Sequence, residues 1–474
     1  MPLVLADAIK GAASILPEVP KPTRKPSLTE KFIWTAIALV MFLVMSEIPL
    51  YGIKTLGQVS DPTALRVIFA STQGSLMELG IGPIVTAGLI SQLLVGSELI
   101  KLDFSKPEDR STFSAFNKVF TFLFIIGEAA LYVFSGYLGT NLSTTTMVIV
   151  IIQLIAASVV VFLLDQMVQK GWGLGSGISL FIMAGVALRV MLDLFSPIAS
   201  PDYYGFFPFL VNSTLAGDYS SVLYRGSFPS LLALVATLAV ILLIVYLEGV
   251  RIEIPVTSQK YKGFSGVYPI KLLYVSNIPV ILVGALIANL QFFSLLLYTR
   301  FNPTGTNWLI NMVANYVPAN VTLGQQGPQL VGGLLYYVSS PRSLTLAAED
   351  PLRILTYVGF FVLFSVLFAK LWVELGGMSA EKAAKSLLDA QVQVPGFRST
   401  TYTVKTVLQK YISAVTILGG IIVGMLASVS DILGVFGSGI GLLLMIDIIL
   451  QYYQMLIRER VESLMPRLGG LIGR

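Results

Sequence analysis

The chain has no cysteine and no histidine in its 474 residues, and only 12% of them are charged. The first two absences exclude disulfides, Cys/His zinc sites, haem held by His or Cys, and any nucleophilic triad that needs imidazole or thiol. Without cysteine, the redox compartment is not written in the composition. The scarcity of charge says more, because a soluble globular chain carries about 25% charged residues. No Walker-type phosphate loop is present, so no nucleotide-driven motor is read here. What fills the chain is apolar: 55% of residues are hydrophobic and the mean hydropathy is +0.80. This is the composition of a polytopic membrane protein.

A helix that crosses a bilayer needs about 20 largely apolar residues. Ten stretches qualify: 31–50, 76–98, 114–136, 144–166, 174–195, 229–250, 272–298, 351–375, 409–430 and 437–457. Residues 1–30 contain Lys10, Lys21, Arg24 and Lys25 but no apolar run with a small-residue cleavage site, which argues against a signal peptide. Leu3 to Leu16 is weakly amphipathic before Pro17, a pattern suited to the membrane surface. An even number of spans puts both ends on one side. That assignment leaves only Lys54, Arg66, Arg189, Arg225, Arg300, Arg342 and Arg353 of the 31 basic residues on the other. The positive-inside rule then places both termini in the cytoplasm.

Two cytoplasmic loops stand out. Residues 251–271 alternate in polarity and contain Gly and Pro, which predicts a hairpin-like finger. Residues 376–410 open with a short helix, Ser379 as N-cap and Glu381 in its first turn, and continue as a basic, partly extended tract, PGFRSTTYTVKTVLQK. Each is either a solvated loop obeying the charge rule or a docking surface for a polyanionic partner.

The two halves echo each other. GSGI opens the fifth span at Gly175–Ile178 and the tenth at Gly437–Ile440, and a proline precedes an aliphatic run in the second span (Pro83) and the seventh (Pro279). Five spans separate the members of each pair, so they run in opposite directions, as in an inverted repeat. Residues 55–75 are too short and polar to cross. Asp61 followed by Pro62 predicts a helix start, with the helix running to about Ala70 and ending near Gly74. It is either an outer loop with a helical turn or a re-entrant segment lining a cavity.

The segments IGPIVTAGLISQLLVGSELI (81–100), GLGSGISLFIMAGV (173–186), YPIKLLYVSNIPVIL (268–282) and the PGFR of the 376–410 loop resemble the SecY-type protein-translocation channel, in its archaeal and eukaryotic branch. The likeness covers essentially the whole chain. It implies an all-α membrane protein of ten transmembrane helices, arranged as two inverted, pseudo-symmetric halves of five with a re-entrant plug helix. The expected divisions are a cytoplasmic tail (1–30), an N-terminal half (31–195), an outer loop (196–228), a C-terminal half (229–457) and a second cytoplasmic tail (458–474).

The resemblance also implies site residues. A ring of aliphatic side chains forms the waist of the pore: Ile81, Val85, Ile178, Ile182, Ile281 and Leu444. All six are aliphatic, as a dewetting constriction requires, and Ile81/Val85 and Ile178/Ile182 are each spaced to share a helix face. Taken singly, each is an ordinary lipid-facing or core position. Residues 61–71 become the plug, with Asp61, Pro62, Leu65, Arg66, Ile68 and Phe69. Spans 2, 3, 7 and 8 become a lateral gate for apolar segments, with Thr86, Glu128 and Asn289 as its polar positions. For Glu128 a structural hydrogen bond and a gating role stay equally open. Arg398, and more loosely Lys260 and Lys262, become contacts for the ribosome or motor.

The implied function is the central pore of a protein-conducting channel, which passes secretory polypeptides across the membrane and releases transmembrane segments into lipid. The implied partners are two small single-span subunits (SecE-type, or gamma, and beta-type), the ribosome, signal sequences, nascent chains and lipid, with no direct DNA binding. The location is the plasma membrane, or the endoplasmic reticulum in a eukaryote. No catalytic residue, metal or cofactor is expected. A secondary transporter is the alternative, and it would need convergent ligands at the midplane. The clearest intramembrane acids, Glu128 and Asp447, lie on different helices with no matching motif. An intramembrane aspartic protease would need a second aspartate facing Asp447, and none is evident.

Overall fold

The computed structural model describes residues 3–53, 70–72, 74–96, 99–100, 102, 106–134, 138, 143–198, 204–226, 228–258, 265–275, 278–302, 305–317, 329–341, 344–376, 378–389, 391–393, 395 and 400–464. Ten helices correspond to the ten expected spans: Leu28–Glu47, Gly82–Gly96, Pro107–Phe134, Thr144–Gln169, Gly177–Phe195, Leu231–Gly249, Ile278–Phe301, Pro351–Leu375, Thr401–Ile432 and Gly439–Leu464. They are called here the first to the tenth span. Nine are long and apolar enough to cross a bilayer. The second has 15 residues, about 22 Å at 1.5 Å per residue, against a hydrocarbon core of about 30 Å.

That short helix corrects the expected span 76–98. Pro83 has no N–H, so a helix beginning at residue 76 would lack the bond from position 83 back to Leu79. The helix instead starts at Gly82, and residues 74–81 run as turns and bends. They are tied to the end of the first span: Leu50 N–H donates to Gly74 O at 2.8 Å and Leu76 N–H to Ile48 O at 2.9 Å. The buried Glu78 carboxylate accepts from Gly74 N–H. Pro279 likewise sits at the second position of its helix, so the two prolines hold equivalent places.

The GSGI echo is also structural. Gly175 and Gly437 have φ of +73° and +75°, the left-handed region that glycine enters without strain. The second glycine of each motif opens a helix. Its missing Cβ makes room for the end of the preceding span: an added Cβ would lie 2.5 Å from Asp165 Cα at Gly177 and 2.4 Å from Ala427 O at Gly439.

The largest apolar core draws buried side chains from every span except the third, which reaches it through half-buried Phe122, and the outward faces are apolar as well. On the sixth span Val235, Leu238, Leu242 and Tyr246 form an exposed stripe at helical spacing, the face that lipid covers. On the cytoplasmic side the expected finger is present. Arg251–Ser258 and Ser265–Lys271 pair antiparallel from Arg251↔Lys271 to Thr257↔Ser265. Val392–Gln393 adds to the outer end of the first strand, so the two loops form one platform over a small core that includes Ile254, Ile270, Ala384, Leu387 and Leu408. The expected helix is Ala380–Asp389, with Glu381 in its first turn. The tract after it is less extended than its composition suggests. Thr400 accepts from Thr403 N–H as an N-cap, and the ninth span begins at Thr401, eight residues before the expected start.

The helix Leu3–Ile15 packs on the third span. Buried Lys118 donates to Ala13 O and Leu16 O, at 2.9 and 3.1 Å, and pairs with Glu18 at 2.9 Å. Glu18 also pairs with Lys170, whose ammonium group donates to Val19 O. Two lysines thus hold the Glu18 carboxyl down, to a pKa of about 2, the Lys170 hydrogen bond first.

Candidate functional site

The late helix start corrects one expected pairing: Ile81 stands immediately before the second span and so shares no helix face with Val85. Val85 and the other four positions lie on the second, fifth, seventh and tenth spans, and all six reach the largest core. Ile81, Ile182 and Leu444 are fully inaccessible, Val85 is buried, and Ile178 and Ile281 are partly buried against the same cluster. The positions are related by the internal repeat. Val85 and Ile281 each follow their proline by two residues, and Ile182 and Leu444 each follow the helix-opening glycine by five. Residues far apart in the chain are thereby brought into one apolar core.

Beside it lies the seam between the second, third and seventh spans. Thr86 Oγ1 donates to Asn289 Oδ1 at 3.1 Å, and Asn289 Nδ2 donates to Ala285 O at 2.9 Å. The Glu128 carboxyl reaches the same Thr86 hydroxyl. Its Oε1 is buried and, among the described residues, has no hydrogen-bond partner. All three side chains are less than a tenth exposed. One turn further along, Tyr132 and Phe292 stack with ring centroids 4.7 Å apart, closing the third span on the seventh. This aromatic pair carried no sequence signal, because either ring alone reads as lipid-facing.

Asp61, Pro62, Leu65, Arg66, Ile68 and Phe69 lie outside the described residues, as do Lys260, Lys262 and Arg398. The nearest described neighbour of the first group is Ala70. It is buried, has a φ of +47°, and packs on the fifth span at Gly185, where an added Cβ would sit 3.3 Å from its own.

Three buried acids went unremarked in the sequence. Asp165 Oδ1 accepts from Ile178 N–H at 2.8 Å, and Asp431 Oδ1 from Gly439 N–H at 2.6 Å. Asp193 Oδ2 accepts from Gly437 N–H at 3.0 Å. Each lies near the end of an apolar stretch, where an acid reads as a solvated boundary. The only pointer was the recurrence of an acid a short way before each GSGI. Asp447 is buried and accepts from Gln451 at 2.8 Å. Among the described residues no three acidic side chains converge into a metal-binding group, and Asp165, Asp193, Asp431 and Asp447 accept from backbone, amide, tyrosine and arginine donors.

Comparison with known proteins covers the same ground. The family described as SecY matches residues 75–453, and the plug domain of Sec61p matches residues 40–74. The chain is 40% identical over 482 residues to the protein translocase subunit SecY of Pyrococcus horikoshii, covering 98% of both chains. It is 40% identical over 478 residues to the protein transport protein Sec61 subunit alpha of Dictyostelium discoideum, again covering 98% of both. Among solved structures it resembles one described as a protein conducting channel, with a TM-score of 0.81 and 34% identity over 96% of this chain and 98% of that one. Sec61 in the canine ribosome-channel complex from the endoplasmic reticulum has a TM-score of 0.78 and 34% identity over the same shares.

Proposed function

The chain belongs to the SecY/Sec61 alpha family, and from that premise we propose that Ile81, Val85, Ile178, Ile182, Ile281 and Leu444 form the seal through which it passes polypeptides. The protein is a multi-pass membrane channel subunit of a protein translocase, and the transporter alternative is set aside. Its relatives are channel subunits, not catalytic enzymes. In our reading this chain does no covalent chemistry either.

One observation carries the proposal: six aliphatic residues, five on four spans and Ile81 immediately before the second, meet in a single apolar core. A pore that admits an extended peptide must still exclude ions when idle. Polar ligands at the waist would coordinate ions and hold the peptide. Branched aliphatic groups exclude water from a narrow constriction and yield by changing rotamer as residues pass. Residues 61–71 serve as a second barrier on the outer side, and the position of Ala70 on the fifth span supports that placement. Thr86, Glu128 and Asn289 set the closed–open balance of the lateral gate, since parting the seam costs the hydrogen bond between spans 2 and 7. The divisions 31–195 and 229–457 act as the two halves of the clamshell.

The driving force comes from partners. A related Sec61 is found with a ribosome, and the cytoplasmic platform, with Lys260, Lys262 and Arg398 on its loops, suits the same docking here. Two small single-span subunits complete the complex. The test is resting ion conductance in planar bilayers. Serine or asparagine at two or more ring positions should raise it, whereas exchange of Ile for Leu or Val should change it little. If polar substitution at all six positions leaves the membrane as tight as the parent, these residues are not the seal.

A further inference from the structure

We infer that Asp165 and Asp431 are a matched pair of positioning residues, which hold the fifth and tenth spans so that their ring residues meet. The inference rests on the seal reading above and adds to it the groups that set the seal's geometry.

Both acids stand near the end of one span and reach the first turn of the next. Asp165, on the fourth span, accepts from Ile178 N–H at 2.8 Å, and Ile178 is itself a ring residue. Asp431, at the end of the ninth span, accepts from Gly439 N–H at 2.6 Å, one turn before Leu444. The first N–H groups of a helix have no partner within it, and in a membrane each must find one in the protein. Each acid is oriented in turn. Gln169 donates to both Asp165 oxygens, at 2.8 and 2.9 Å, and Tyr357 O–H donates to Asp431 Oδ2 at 2.8 Å. Contact on the other side is tight, because Gly177 and Gly439 have no room for a Cβ against the spans that carry the two acids.

The two capped helices also hold each other in opposite directions. Tyr452 on the tenth span donates to Leu174 O, at 3.0 Å, beside the start of the fifth. Asp193 near the end of the fifth span accepts from Gly437 N–H, at 3.0 Å, beside the start of the tenth. The antiparallel pair is thus pinned at both ends, and the two acids fix each helix start against its own half. A carboxylate that merely satisfied one backbone donor would not require an acid cap and a close-packed glycine at the start of both helices.

The chain has no native cysteine, so paired spin labels can be placed uniquely. With Leu188→Cys and Leu363→Cys the label distance follows the fifth span against the eighth. With Ile449→Cys and Leu123→Cys it follows the tenth against the third. All four positions are exposed. In the reconstituted channel, Asp165→Ala should shift or broaden the first distance, Asp431→Ala the second, and each should raise resting conductance several-fold. Asp165→Asn and Asp431→Asn keep an acceptor oxygen in place and should retain parental distances and conductance. If the alanine variants fail to fold, Asp165→Glu and Asp431→Glu decide, since an added methylene should displace the same helix starts. Parental distances in the alanine variants, or in the glutamate variants where alanine fails, would overturn the inference. Ile182→Ser with Leu444→Ser in the same bilayers separates the two readings. Leak there with unmoved helices in the acid variants defeats the positioning role alone. A tight membrane there defeats the seal, and the label distances still judge the acids.

Discussion

Thr86 and Asn289 are 203 residues apart and share a buried hydrogen bond, while Glu128 touches the same hydroxyl with one oxygen unpartnered among the described residues. Replacing Asn289 or Glu128 with Leu should change how hydrophobic a signal sequence must be to open the channel. An interhelical hydrogen bond in a membrane is worth about 0.6 kcal/mol on average, so single changes should be modest; an unchanged threshold in the double variant would make these residues merely structural. Glu18 gives a pH prediction. Its carboxyl is held down to about 2 by Lys170 and Lys118, so the contribution to stability is complete above the ordinary carboxylate range and is lost as pH falls towards 2. The carboxylate is half exposed, so water screens the pair and the effect is small. Emission from Trp172, whose indole donates to Pro20 O at 2.8 Å, should therefore hold steady near neutrality and change only in acid. Glu18→Gln should speed tryptic cleavage after Arg24 at neutral pH, since the bonds after Lys21 and Lys25 precede proline, and parental cleavage would show that the Glu18 pairs do not hold this segment. At this scale the sequence was only partly legible. The aliphatic ring and the polar trio were reached through family likeness, since each residue alone is ordinary. Asp165, Asp193 and Asp431 were overlooked because an acid near a span end looks solvated until the backbone N–H groups facing it are known.

Elements were more legible, and their misreadings have definite causes. Long apolar runs fix nine spans without ambiguity, because length and hydropathy suffice. The start of the second was misplaced, since Leu76, Met77 and Leu79 look like helix and only the missing N–H of Pro83 and the ties to Gly74 and Leu76 prevent it. The tract PGFRSTTYTVKTVLQK reads as basic and partly extended, yet Thr400 is there a cap that starts a 32-residue helix. The GSGI echo, four residues long, proved the most informative short signal, because glycine is needed twice in each copy, once for a positive φ and once for close approach. Gly177→Ala and Gly439→Ala should accordingly destabilise the protein by about 1–3 kcal/mol each, the usual cost of overpacking. Gly127→Ala, at a helical position with nothing within 4 Å of an added Cβ, should be neutral or slightly stabilising. Thermal unfolding in one detergent compares all three, and equal midpoints would mean that the close contact at the two motifs carries no weight.

At the scale of the molecule, inversion of one five-helix pattern runs equivalent helices in opposite directions and brings their aliphatic side chains into one core. The charge asymmetry of the loops and the count of ten spans are evident from the sequence, but the gathering of the six aliphatic residues in one core is not. Burial of Ile81, Ile182 and Leu444 depends on contacts between residues as much as several hundred positions apart, which no local pattern encodes. The most direct measurement of the central claim places a photocrosslinking probe at Ile182 or Leu444 of the reconstituted channel and, as control, at Leu242, which is 72% exposed on the lipid-facing stripe of the sixth span. A secretory chain is then stalled midway by a ribosome. The expected result is a crosslink from the ring positions to the stalled chain and none from Leu242. Crosslinks absent from both ring positions while the chain is demonstrably stalled across the membrane would contradict passage through this waist.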